Sequence, residues 1–303
     1  MTRIALLSGG VGGARLARGL AAVPEVDLTV VVNVGDDAEI YGLHVSADVD
    51  TVVYTLGGVE GPQGWGVAED TFTVMDHLAA LGTDTTFRIG DADLALNVYR
   101  SAALRSGERL SEVTRRLAAR LGVTSTILPA SDDPVPTEVR TAAGDWLQFQ
   151  EYFVIRGHRD DVTGVRFAGA ADAVAAAGVI ESIAAADAVV VGPSNPPLSI
   201  WPILAVAGIR EAVAEAPLVI GVSPHIGGRA LKGPADRVMA GLGLEAGTAG
   251  VIEAYRGLLS DLVVDTSDAA GVAHPEVRIH AADTRIAEPA AAARLARFLL
   301  EVP

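Results

Sequence analysis

Four aspartates, Asp36, Asp37, Asp48 and Asp50, crowd the stretch "NVGDDAEIYGLHVSADVD". Clustered carboxylates of this kind suit a hard cation such as Mg²⁺, which commonly bridges protein carboxylates and substrate phosphates. The alternative for the same residues is a helix cap at Asp48 and a solvated turn at Asp36 and Asp37. Ahead of them lies "SGGVGGARL", in which Gly9, Gly10, Gly12 and Gly13 let the backbone approach phosphate oxygens and Arg15, one turn into a following helix, can reach an anion. The pattern is not the dinucleotide fingerprint. Counted from Gly10, G-x-G-x-x-G puts Arg15 where the third glycine belongs, and the next apolar run ends on Asn33, where an NAD enzyme offers an acidic residue to the ribose. No Lys-Ser or Lys-Thr completes a Walker A loop. The glycines therefore read either as the phosphate cradle of a different nucleotide or as a tight strand-to-helix turn and nothing more.

Two later loops carry further polar groups. In "VVVGPSNPPLSI", prolines stiffen a turn that presents Ser194 and Asn195, which suits recognition of a base or a sugar hydroxyl or, alternatively, internal bonding of a rigid turn. In "VSPHIGGRALKGPADR", Arg229 and Lys232, the only lysine, precede a helix begun by Pro234; they read as a second anion site or as solvated surface charge. The 6 histidines show no metal-ligand spacing, and no G-x-S-x-G elbow supports serine hydrolysis.

These residues need elements to position them. Residues 3–8 read as a buried strand, 9–13 as a turn, 14–22 as a helix and 27–34 as a second buried strand, which together make a βαβ unit. Helical patterns follow at 69–81, 91–106 and 110–121; the stretch 124–168 alternates polar and apolar residues around an Ala-Gly-Asp turn, which predicts an antiparallel hairpin. From residue 173 helices and strands alternate again, with helices at 173–186, 199–214, 234–242, 248–259 and 288–300 and strands at 187–192, 217–223 and 261–265. Strands separated by helices favour a parallel sheet covered on both faces. The expectation is an α/β protein: a Rossmann-like, mostly parallel sheet flanked by helices over 1–90 and 165–303, with a helix-plus-β-hairpin insertion at 91–164.

Composition narrows the function classes. With 303 residues, 50% of them hydrophobic, the chain can build a large core, and a formal net charge of −15 repels a free polyanion, which argues against nucleic acid as a partner. The absence of cysteine excludes disulfides, thiolate metal sites and a cysteine nucleophile, and a reducing cytoplasm fits it. No apolar run reaches the roughly 18 residues of a membrane-spanning helix, and the N-terminus does not read as a signal peptide.

Taken in order, "SGGVGGARL", "VVNVGDD", "DVDTVVYTLGG", "TFRIGDADLA", "ILPASDDPVPTEV", "GPSNPPLSIWPIL" and "SPHIGGRALKGPAD" resemble the 2-phospho-L-lactate transferases of coenzyme F(420) biosynthesis, including their phosphoenolpyruvate-type members. The resemblance runs along nearly the whole chain. It implies a Mg²⁺-dependent enzyme that joins a deazaflavin alcohol, Fo, to an organophosphate carried on GMP, without a covalent nucleophile, and it suggests a homodimer. Carried onto this sequence, it implies that Gly9, Gly10, Gly12 and Gly13 line the GMP phosphates and that Ser194 and Asn195 lie near the nucleotide, beside the anion contacts that Arg15 and Lys232 offer by their own positions. It places Asp50 and Arg88 against Fo, where Trp65 could stack on the ring. It makes Asp36 and Asp50 the metal-binding and catalytic pair, supported by Asp37 and Asp48. Arg88 departs from members that carry Lys there: charge is kept while donor geometry changes. A regulatory relative of the same fold that binds a nucleotide sugar without turnover is the alternative.

Overall fold

The computed structural model describes residues 1–231 and 233–303. Its apolar runs become seven strands of one sheet: β1 (Thr2–Ser8), β2 (Val26–Val32), β3 (Thr126–Pro129), β4 (Ala188–Val191), β5 (Val219–Val222), β6 (Asp261–Asp265) and β7 (Arg278–Ala282). The order across the sheet is β7-β6-β5-β4-β1-β2-β3, and every pairing is parallel. This is the Rossmann-like α/β architecture that the alternation of elements predicts.

Successive strand residues point to opposite faces, and here both faces are buried. Ile4, Leu6, Val30, Val32 and Val190 pack on one side beneath α1 (Gly10–Ala21), α2 (Ala47–Leu56) and the C-terminal helix Pro289–Leu300. Ala5, Leu7, Val31, Val189 and Val191 pack on the other beneath helices Val179–Ala185 and Ile209–Ala214. Between α2 and β3 the chain adds α3 (Thr73–Ala80), α4 (Asp91–Arg105) and α5 (Leu110–Arg120).

The structure corrects the reading of 124–168 as one hairpin. Thr126–Pro129 pairs in parallel with Thr29–Val32 and is an edge strand of the main sheet, where Pro129 is tolerated. The stretch 91–164 therefore supplies a core strand as well as an excursion. The antiparallel part is a three-stranded sheet with Thr137–Thr141 in the middle, between Trp146–Gln148 and Val162–Phe167. It closes on its own small core of Val139, Leu147, Phe149 and Tyr152, and a π-helical turn, Glu151–Ile155, follows its second strand. The helix expected over 199–214 is broken into a π-helical turn (Pro196–Ile200), Trp201–Ala205 and Ile209–Ala214, the last entered through Gly208 at φ +82°. β7 was not expected, because its Arg278 and His280 serve the buried Asp261 carboxylate and interrupt any apolar run.

One glycine fixes how closely two helices on the first face approach. A Cβ added to Gly19 would lie 2.3 Å from the Ala292 carbonyl oxygen, so α1 and the C-terminal helix meet backbone to backbone. Gly19→Ala should lower the unfolding free energy by about 1–3 kcal/mol through overpacking, measured by urea denaturation; an unchanged midpoint would show that the helices separate freely.

Candidate functional site

The strand order reverses between β1 and β4, and in open parallel sheets ligands bind in the crevice outside the carboxyl ends of the strands at such a point. The glycine turn leaves β1 here, and the Gly-Pro-Ser-Asn turn leaves β4 beside it. The two turns are stitched together: the Gly9 N–H donates to Ser194 Oγ (3.2 Å), whose hydroxyl donates to the Gly9 carbonyl (2.7 Å). Added Cβ atoms would lie 2.3 Å from the Pro193 oxygen at Gly12, 2.3 Å from Ser8 Oγ at Gly13, and 2.6 Å from Ser199 Cβ at Gly9. Gly10 alone of the four leaves room, an added Cβ there lying 4.0 Å from Asp48 Oδ1, and it sits at φ +63°, where glycine is favoured. Asn195 caps the following π-helical turn, its Oδ1 accepting from the Leu198 N–H at 3.3 Å.

The acidic stretch is folded by a hairpin absent from the sequence reading. Ala38–Ile40 pairs with Leu43–Val45 across Tyr41 and Gly42, both at positive φ, as a two-residue hairpin turn requires. The hairpin returns the chain so that Asp48, in the first turn of α2, meets Asp36. Asn33, fully buried at the end of β2, donates its two amide hydrogens to Asp36 Oδ1 (3.0 Å) and Asp48 Oδ2 (2.9 Å) and accepts from the Gly35 N–H (2.7 Å). Asp48 also accepts from the Gly10 N–H at the start of α1. Asp37 turns away, held by Ser46 (2.6 Å) and within 3.1 Å of His44 Nε2.

Asp50 has a different environment. Both of its oxygens accept from the guanidinium of Arg100, a buried residue of α4 that the sequence reading passed over. The side-chain bonds thus join Asp36 to Asp48 through Asn33, while Asp50 is paired with Arg100. Burial is the leading influence on all three acids. It carries Asp36 well above the ordinary carboxylate range, helped by the Asp48 charge, and raises Asp48 to about 6 against the pull of Asn33 and Gly10. Asp50 also rises to about 6, since its desolvation outweighs the Arg100 charge.

A cleft of about 740 Å³ collects these groups. Asp36, Asp48, Asp50, Gly9, Gly10, Gly12, Arg15, Trp65, Arg88, Ser194 and Asn195 all line it; Gly13 lies beneath the turn, and Lys232 falls outside the described residues. Trp65 is 53% exposed at the cleft wall, and Arg88 is tethered to Asp76 (3.2 Å) and stacked over Phe72. Aromatic lining was missed: Phe149 and Phe153, stacked 5.2 Å apart, join the wall from the turn whose Gln150 donates to the Asp36 carbonyl (2.7 Å). Among the described residues no three acidic or imidazole groups converge as a ready-made metal cage.

Fold and site together define a Rossmann-like α/β protein whose switch-point cleft joins a glycine turn to buried carboxylates. The model of the 2-phospho-L-lactate transferase CofD family matches residues 4–291, and the chain belongs to that family. It is 43% identical to a phosphoenolpyruvate transferase of Streptomyces griseus, over 99% of this chain and 98% of the relative. It is 42% identical to a 2-phospho-L-lactate transferase of Methanopyrus kandleri, over 99% and 97% respectively. A crystal structure of a UPF0052 family protein from Bacillus halodurans shares the fold, with a TM-score of 0.66 at 17% identity, covering 99% of this chain and 100% of that one. Among the described residues no helix is long and apolar enough to cross a membrane.

The raised acids predict a pH signature. Asp48 holds its proton more tightly in the fold than in the unfolded chain, where a carboxylate titrates near its ordinary value of about 4, so its ionisation costs stability as pH rises from there to about 6, and the cost is constant above. In metal-free buffer, the unfolding free energy of Asp48→Asn relative to wild type should shift in the variant's favour by about 2 kcal/mol between about pH 4 and about pH 7. A difference that stays flat across that range would mean Asp48 is not held under desolvation.

Proposed function

We propose that the protein transfers a phosphoenolpyruvyl or 2-phospholactyl group from a diphosphoguanosine donor to the deazaflavin alcohol Fo, releasing GMP, in the cytoplasmic synthesis of coenzyme F(420). The observation that carries this reading is the junction, in a member of this family, of the glycine turn at the start of α1 with buried carboxylates in one cleft. The ribityl hydroxyl oxygen of Fo attacks the distal phosphorus; the bond from that phosphorus to the GMP oxygen breaks, and the hydroxyl proton is released. Phosphoryl-type transfer requires positioning and charge neutralisation more than covalent chemistry, which matches a sequence with no cysteine and no G-x-S-x-G elbow.

The roles divide among the residues lining the cleft. Gly10 and Arg15 receive the donor's phosphates, while Ser194 and Asn195 hold the turn that abuts the nucleotide. Asp50 accepts a hydrogen bond from the attacking hydroxyl, and Arg88 and Trp65 flank the deazaflavin. Asp36 and Asp48 fit Mg²⁺, because two buried carboxylates share one amide while the neighbouring cation, Arg100, is spent on Asp50. Mg²⁺ bound there would neutralise the donor diphosphate next to an acidic protein. A homodimer belongs to the same reading, supported by Phe72, Val74 and Leu81, which stand exposed on and around α3.

Incubation with Fo, Mg²⁺ and each donor should release GMP and give a deazaflavin adduct by mass spectrometry, with the enolpyruvyl adduct two hydrogens lighter than the lactyl one. Nucleotide binding with no GMP from any donor would overturn the transferase reading in favour of a non-catalytic binder. Mg²⁺ should also raise the thermal unfolding midpoint above about pH 7 and lose that effect below about pH 5, where protons occupy the pair. Asp48→Asn should erase this stabilisation, and a Mg²⁺ effect that survives the substitution would move the cation elsewhere.

A further inference from the structure

Arg100 is 1% exposed. A guanidinium so far from water is tolerable only when its donors are met, and the partners it has chosen indicate its use. Nη1 donates to Asp50 Oδ2 (3.0 Å) and Asn97 Oδ1 (2.7 Å) and lies 3.4 Å from the His44 carbonyl; Nη2 donates to Asp50 Oδ1. Among the described residues Nε has no partner, and Asp50, Asn97 and the His44 carbonyl set the orientation of the group. Two parallel bonds from a planar fork fix the plane of a carboxylate as well as its position. Each Asp50 oxygen keeps a further lone pair. Asp50 is on the cleft wall, and the His44 carbonyl and Asn97 brace Arg100 from behind.

We propose that Arg100 is a positioning residue for the transfer: it pins the plane of the Asp50 carboxylate so that a free lone pair points at the hydroxyl of the alcohol acceptor. The inference rests on the transferase reading given above. It assigns Asp50 to orienting the acceptor, with one lone pair of each oxygen held by Arg100 and the other facing the cleft. Charge alone does not satisfy this role, because a lysine ammonium is a point donor that cannot hold both oxygens in one plane.

The test is a kinetic comparison of wild type, Arg100→Lys and Asn97→Ala, with GMP release measured against the concentration of donor and of Fo. Arg100→Lys should lose about 100-fold in kcat, the scale expected of a misplaced reacting group, while the donor KM and the unfolding midpoint stay near wild type. Asn97→Ala removes a brace without touching either charge and should lower kcat about tenfold with the same pattern, so the inference remains testable even if lysine at this depth prevents folding. A folded Arg100→Lys or Asn97→Ala protein with wild-type kcat overturns the role, as does a fall in kcat matched by equal losses in donor affinity and thermal stability, which a merely structural residue would cause. Failure of wild type itself to form product would defeat the transferase reading, and the inference with it, before any variant is compared.

Discussion

Buried carboxylates repel one another, and three of them, Asp36, Asp48 and Asp50, are gathered at the carboxyl edge of one sheet. In a medium of low effective dielectric neither that repulsion nor the loss of hydration is screened as it would be in water. Much of the neighbouring architecture is a response. Asn33 gives one hydrogen to each member of the first pair, α1 offers the Gly10 N–H, α2 begins beneath Asp48 and Asp50 with the positive end of its dipole, and Arg100 answers Asp50 with two bonds. The partners come from several segments, so the acids add a polar junction to β2, α1 and α2, which already share a hydrophobic core, and tie α4 to it. Removing one partner would leave a buried charge uncompensated, which costs far more than the lost bond itself.

A second arrangement governs the wall that carries Trp65 and Arg88. The chain from α2 to α4 leaves the sheet and returns, and its helix α3 buries only Met75. Two aspartates hold it by exchanging places: Asp70 accepts from the N–H groups of Ala92 and Asp93 at the start of α4, and Asp91 accepts from those of Thr73 and Val74 at the start of α3. Gly90 is needed for this exchange, since a Cβ there would lie 2.1 Å from Asp70 Oδ2. The acids at the base of the cleft thus sit on strand ends and packed helices, whereas the aromatic wall hangs on charge–dipole contacts at the surface, which resist local opening less.

The sheet was legible because its strands are apolar and buried on both faces, and the βαβ start was legible because glycines punctuate it. Thr126–Pro129 was not, because its four residues adjoin a hairpin whose alternating pattern runs straight on from them. β7 escaped because it is polar for a local reason, the service of Asp261. In the site, Asp36, Asp48 and Asp50 stood out by crowding, yet their pairing did not, since it depends on the turn at Tyr41 and Gly42 that folds the stretch on itself. Arg100 left a faint mark: Asp93, Asn97 and Arg100 recur at helical spacing along one face of α4, so a polar stripe ran where an apolar one was expected.

The glycine turn shows why a correct motif can carry an incomplete reason. Gly9, Gly12 and Gly13 lack side chains because Pro193, Ser194, Ser199 and Ser8 occupy the space, a contact between two loops that would be required whatever the protein bound. That contact nevertheless determines the chemistry available, because it sets the start of α1 directly against Asp48. A helix N-terminus normally attracts a phosphate, but here a carboxylate already uses part of its positive potential. An anionic donor approaching the same point meets two buried acids as well as the helix. Its charge is therefore opposed at this point by Asp36 and Asp48 and favoured by the α1 N-terminus and by Arg15, which lines the same cleft, so the local balance turns on how far the two acids are protonated.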